Sequence, residues 1–248
     1  VNAVTGRLPI PLVALAALLS VSACALEPSS RTSASPSAIG VESPGVTACT
    51  QTSRSPGTYV ADATDTMTVP VTITFTEAGW NGCGLWVKEF GSAGTALIAF
   101  WAVDNVYANP CQWKGALMDP PAGPRATDLV NAMVDQELTD ASAPSASSLG
   151  GYPAGHVRIE VPTDLDVSAC DTAVEDPEFR FWKGPGEELT GSAVWWVGAE
   201  DAPGLIGEVW SMDLDTTRLA FQAAYFSDAA PAEVEEIHAI VDSIALMP

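Results

Sequence analysis

The sequence predicts one α+β domain, built on an antiparallel sheet and carried behind an export signal and a tether. Three observations predict it. A 16-residue, mostly apolar run occupies Leu8 to Ala23, and a stretch without any aromatic residue runs from Ala25 to Thr58. Beyond it, short segments with strand-type alternation are interrupted by two stretches with helical periodicity. The composition sets the outer limits. The 248 residues hold 10 Lys+Arg against 31 Asp+Glu, a net charge of -21, which excludes nucleic-acid binding because phosphate neutralisation needs clustered cations. Hydrophobic residues make up 47% and there are eight tryptophans, enough to bury a core and to exclude disorder throughout.

The first element, residues 1–23, reads as a signal peptide. Arg7 is the only charge before Glu27, and the apolar run is short for a membrane span. It ends Val21-Ser22-Ala23-Cys24, which resembles the lipobox of bacterial lipoproteins: an aliphatic residue, two small residues, then cysteine. That resemblance implies a diacylglycerol on the Cys24 sulfur, cleavage before Cys24, and a protein anchored on the outer face of the cytoplasmic membrane. Val1 in place of Met reads as a GUG start, with a start further upstream as the alternative, and the Ala-, Gly-, Pro- and Asp-rich usage points to a high-GC actinobacterium. Residues 24–58 form the tether. Ser, Thr, Pro and Gly fill 20 of the 34 positions from Ala25 to Thr58, and such a chain spans roughly 30 Å.

Residues 59–248 form the domain. Met67, Val69, Val71, Ile73 and Phe75 alternate with polar residues as a half-buried strand, with Pro70 favouring an edge. Leu85 to Phe90 and Ala96 to Tyr107 are the next strands. Thr127 caps a helix whose Leu129, Val130, Met133 and Val134 share a face. His156 to Val161 alternates again, with Val157, Ile159 and Val161 inward and His156, Arg158 and Glu160 on the polar face. Ala193 to Val197 and Glu208 to Leu214 follow, and Arg218 to Phe226 returns antiparallel. Pro231 opens the last helix, with Val234, Ile237, Val241 and Ile244 in a stripe and Glu233 near its positive end.

Apart from Cys24 the cysteines are Cys49, Cys83, Cys111 and Cys170, an even set that predicts two disulfides with three connectivities open in an exported protein. A zinc site is the competing reading, but no C-x-x-C occurs. His156 and His238, the two histidines, read as structural or surface residues: there is no G-x-S-x-G, and Gly91-Ser92-Ala93-Gly94 has the wrong spacing for a nucleophile loop. Gly184-Pro185-Gly186 is a turn and not a phosphate loop. Asp164/Asp166, Asp213/Asp215 and Glu187/Glu188 could hold calcium, yet none approaches a 12-residue calcium loop; Asp213 and Asp215 read as shaping a hairpin end. No cofactor is expected. Trp80, Trp86, Trp101 and Trp210 belong to strands and the core, and Trp195 and Trp196 share a strand. Trp113, Tyr152, Phe179 and Trp182 fall in loops, where aromatics either line a binding groove or plug the sheet ends.

The stretches IAFWAVDNVYANPCQWKGALMDPP (98–121), GGYPAGHVRIEVP (150–162), EVWSMDLDTTRLAFQAAYF (208–226) and AIVDSI (239–244) resemble a group of actinobacterial lipoproteins of unknown function. In element order, with Gly79-Trp80 after the first strand and Ser243-Ile244 closing the last helix, the chain is similar to the PsbP-like fold. The resemblance implies an α/β/α sandwich, an antiparallel sheet with helices packed on both faces, and an adaptor role more than an enzymatic one. It implies the pair Cys111–Cys170, which leaves Cys49–Cys83 to pin the tether. One departure stands out: the hairpin turn of that fold carries Asp-Gly, where this chain has Asp215-Thr216.

The expected function is therefore a non-catalytic, lipid-anchored domain that binds a cell-envelope component or a partner protein. The alternative is an envelope hydrolase with two carboxylates facing each other across a cleft, about 5–10 Å apart. The anchor is directly testable. Cys24→Ser should abolish labelling with a clickable fatty acid; undiminished labelling would rule out the lipobox.

Overall fold

A computed structural model of the chain describes residues 53–61, 69–82, 85–90, 94–172, 176–185, 194–214 and 217–247. The signal peptide, Cys24, the tether up to Thr52, the Cys49–Cys83 pair, Gly91-Ser92-Ala93, Glu187/Glu188 and the Asp215-Thr216 turn lie outside these residues, as do the side chains of Trp195 and Trp196.

The chain begins with β1 (Gly57–Ala61), β2 (Val71–Phe75) and the short β3 (Asn81–Gly82). Next come β4 (Leu85–Glu89), β5 (Thr95–Trp101) and β6 (Asn105–Val106), then helix α1 (Ala126–Val134). After it run β7 (Asp140–Ala141), β8 (Ser145–Leu149), β9 (Tyr152–Glu160), β10 (Glu178–Lys183) and β11 (Val194–Gly198). The two longest strands, β12 (Leu205–Leu214) and β13 (Thr217–Phe226), precede α2 (Pro231–Asp242) and β14 (Ala245–Leu246).

Every strand pair is antiparallel. The main sheet has the order β3-β4-β5-β13-β12-β9-β7, with β8 also on β9. Its centre is the β12–β13 pair, in register from Leu205↔Phe226 to Leu214↔Thr217. β12 is buried along nearly its whole length, the signature of a strand covered on both faces. On one face lie Val71, Ile73 and Phe75 of β2 with Ile237, Ile240 and Val241 of α2, packed on Ile98, Met212 and Phe221. On the other lie Phe179, Phe181 and Trp182 of β10 with Leu129, Val130 and Met133 of α1, packed on Val157, Val209 and Ala220.

This arrangement corrects the expected class. Strands take 46% of the described residues and helices 16%, so the protein is a mostly antiparallel β structure and not a PsbP-like α+β sandwich with helices packed on the sheet faces. The cover of each face is a three-stranded sheet, β1-β2-β14 or β11-β10-β6, with a single helix beside it. The physical reason lies in the aromatic strands. Phe75, Phe179, Phe181 and Trp182 bring large apolar areas to the faces on short extended segments.

Three further expectations change. Ala96 to Tyr107 is not one strand: β5 ends at Trp101, and the Asp104 amide bonds the Lys183 carbonyl at 2.8 Å, sending β6 into the β10 sheet. Arg218 holds that crossover through the carbonyls of Val103 at 2.7 Å and Gly123. Phe179 and Trp182 are not loop residues but lie in β10. Thr127 does not cap α1: the N-cap is Arg125, whose amide donates to Asp128 Oδ2 at 3.0 Å, and Asp213 Oδ1 accepts the Ala126 amide at 2.8 Å from the end of β12. In addition, residues of the expected tether enter the fold, where Arg54 is buried and bonds Trp80 and Gly82. Cys111 and Cys170 form a disulfide, which closes a loop long enough to contribute ~4 kcal/mol on the chain-entropy model.

Asp213→Ala should therefore cost about 1 kcal/mol in urea denaturation, whereas Thr127→Ala, on the exposed side of α1, should cost under about 0.5 kcal/mol. The reverse ranking would return the cap to Thr127.

Candidate functional site

Within β12, Glu208 sits among Leu205, Ile206, Val209, Trp210 and Met212, away from Asp213 at the strand's far end. Strand alternation puts its side chain on the same face as Ile206, Trp210 and Met212, beneath α2. It is only 7% exposed, and a carboxylate removed from water at that depth must find donors. The register supplies them. Ile206 pairs with Tyr225 and Trp210 with His156, which brings both side chains to the same face as Glu208. From above, α2 contributes His238, the residue after the fully buried Ile237.

The Tyr225 hydroxyl donates to Glu208 Oε1 at 2.7 Å, and His238 Nε2 meets the same oxygen at 2.8 Å. His156 Nε2 stands 3.3 Å from Oε2, and its ring stacks on Trp210 with centroids 4.6 Å apart. Burial opposes ionisation of Glu208, but the contacts from His156, His238 and Tyr225 outweigh it and hold the carboxyl down at about 2. Burial and the neighbouring carboxylate push the Tyr225 hydroxyl up, so it stays a donor. An ionised carboxylate only accepts hydrogen bonds. His238 Nε2 must therefore carry the hydrogen, and in the neutral ring its Nδ1 is an acceptor; His156 Nε2, though 3.3 Å from Oε2, is buried without a hydrogen-bond partner. Arg158, opposite Glu208 in the register, is engaged along its own strand by Glu160 at 2.9 Å.

Above this group opens a cleft of about 490 Å³. Ser147 and Ser148 of β8 form one wall, and His238 and Asp242, one helical turn apart on α2, form another. The β8–β9 turn closes the end. Gly150 and Gly151 there have φ of 59° and 85°, and a Cβ on Gly150 would lie 2.0 Å from a Leu246 methyl, so β14 can approach only a glycine.

The residues that the sequence offered as a binding surface are elsewhere. Phe179 and Trp182 are fully buried on the opposite face of the sheet. Trp113 is 6% exposed, packed on Tyr107 and roofed by the Arg180 guanidinium 3.5 Å from its ring centroid. Tyr152 is half-buried at the start of β9 and packs on the α2 side. These four side chains do not share a groove. The two histidines, read separately as structural or surface residues, converge instead on Glu208. The signal for this was present in the sequence: an acid, Glu208, flanked on both sides by the apolar residues of a long strand.

The chemistry available follows from the geometry. A catalytic general acid needs a raised pKa, and Glu208 is shifted the other way. Among the described residues no group of three or more His, Cys, Asp and Glu side chains is set to hold a metal ion.

The lowered pKa of Glu208 fixes a pH dependence. Below its ordinary 4.5 and above about 2, the unfolded chain binds a proton at this position that the folded chain does not. The stabilisation from Glu208 is thus complete above about 4.5 and is lost as pH falls towards 2. Glu208→Gln should lower the urea midpoint at neutral pH, and the gap to the unsubstituted protein should close on acidification. A gap that stays constant with pH would contradict the ionised state.

No family model, curated protein sequence or solved structure matches the chain, so the functional reading rests on this geometry.

Proposed function

We propose that the protein is a lipid-anchored, extracytoplasmic binding domain that holds a cell-envelope component or a partner protein in the Glu208 cleft. The observation that carries this reading is the state of Glu208: ionised, buried, and engaged at both oxygens by Tyr225, His238 and His156. Such a carboxylate orients the side chains around it and does not exchange protons with a substrate. Preorganised polar groups on the floor of a partly apolar cleft are what a binding site needs. The lipobox ending at Cys24 supports the address, and the resemblance of 98–121 and 208–226 to actinobacterial lipoproteins supports it further. The membrane contact is the diacylglycerol on Cys24.

The full acylated chain, in its own membrane, tests the reading. A photo-cross-linking residue at Ser148, in the cleft wall, should capture a discrete envelope component. The same residue at Thr127, on the opposite side of the sheet, should not, and His238→Leu should reduce the Ser148 adduct several-fold. Equal capture at both positions would overturn the cleft as the site. Turnover of cell-wall fragments that disappears in Asp242→Asn would favour the hydrolase with a carboxylate pair.

A further inference from the structure

We propose that the cleft takes the ammonium group of a primary alkyl amine, an inference that rests on reading the cleft as a binding site. The cleft is built of acceptors. No Lys or Arg lines it. With its Nε2–H turned to Glu208, His238 offers its Nδ1, which has no hydrogen-bond partner among the described residues. The Asp242 carboxylate is exposed and likewise has no partner there. His238 and Asp242 stand at i and i+4 on α2, so their side chains project from one helix face. An ammonium group carries three donors and a full positive charge, matching a carboxylate beside an imidazole acceptor. Leu149, Val241 and Ile244 line the same cleft and give the alkyl stem an apolar wall.

Charge favours the same ligand. The chain carries -21 overall, a field that concentrates cations near its surface. Around the histidines, β12 presents Glu208, β13 presents Tyr225, and β9 presents Arg158, already paired with Glu160. α2 presents Asp242, and Glu236, which is occupied by Lys88 at 2.7 Å and by Trp80 at 2.8 Å. Two carboxylates, Glu208 and Asp242, therefore face the cleft with no cation of the protein inside it.

Calorimetry on the full chain tests this with three probes of matched length: 1,4-diaminobutane, 1,4-butanediol and succinate. At about pH 7.5 only the diamine should give saturable heat. Asp242→Asn, a change at an exposed position that leaves the core intact, should weaken it about tenfold or more. Vesicles with and without phosphatidylethanolamine then distinguish a lipid headgroup from a free amine. Binding of the diol or of succinate as tight as the diamine, indifference to Asp242→Asn, or no saturable heat with the diamine would each overturn the proposal. If the diamine fails while Ser148 still cross-links specifically, the amine falls and the binding reading stands. If Ser148 specificity is lost, the cleft itself falls.

Discussion

A charged carboxylate in the middle of the longest buried strand constrains everything packed above it. Left without donors, Glu208 would cost several kcal/mol, so the elements that supply donors have to arrive together. Tyr225 comes from the strand beside it, His156 from the strand on the other side, and His238 from the last helix. The register of β9, β12 and β13 and the seating of α2 are thereby coupled at one point. A second polar tie lies two residues earlier on the helix. Glu236 receives the Trp80 indole and the Lys88 ammonium, while Ile237, Ile240 and Val241 face inward. The helix is thus located by two carboxylate clusters, one on each flank of the buried Ile237, and by apolar packing beneath.

How far the fold could be read from the sequence depended on whether an interaction was local. The alternation of Val157, Ile159 and Val161 against His156, Arg158 and Glu160 is a property of one strand, and it assigns the faces of β9 correctly, although the strand begins earlier, at Tyr152, and ends at Glu160. The apolar stripe of α2 and Glu233 at its first turn are equally local, and Glu233 accepts the Ala230 amide at 2.8 Å. The N-terminus of α1 is a different matter. Asp213 reaches it across 87 positions, whereas Thr127 offered a familiar cap residue at the right place in the chain. The end of β5 was equally hidden, because Ala102 and Val103 are as apolar as the strand they follow.

The layers covering the sheet were harder still to read. β10 is short and alternates Phe179 and Phe181 with Arg180, and its flanking Pro177 and Gly184 suggest a loop. Only pairing with β6 and β11 makes it a strand. One strand of each small sheet, β2 and β11, is marked in the sequence, but their partners are not, whereas two helical periods stand out and suggest helical cover. For the cleft, the sequence held both histidines and the acid, but the contact between them is made by strand register and helix placement. Neither leaves a mark on any single segment.

The Cys111–Cys170 bond belongs to the cluster on the α1 side of the central sheet, while the cleft opens on the α2 side. The loop that the bond closes nevertheless contains β8 and β9, and with them Ser147, Ser148 and His156 of the cleft. A covalent link on one face of the sheet thus shortens the leash on strands whose side chains serve the other face.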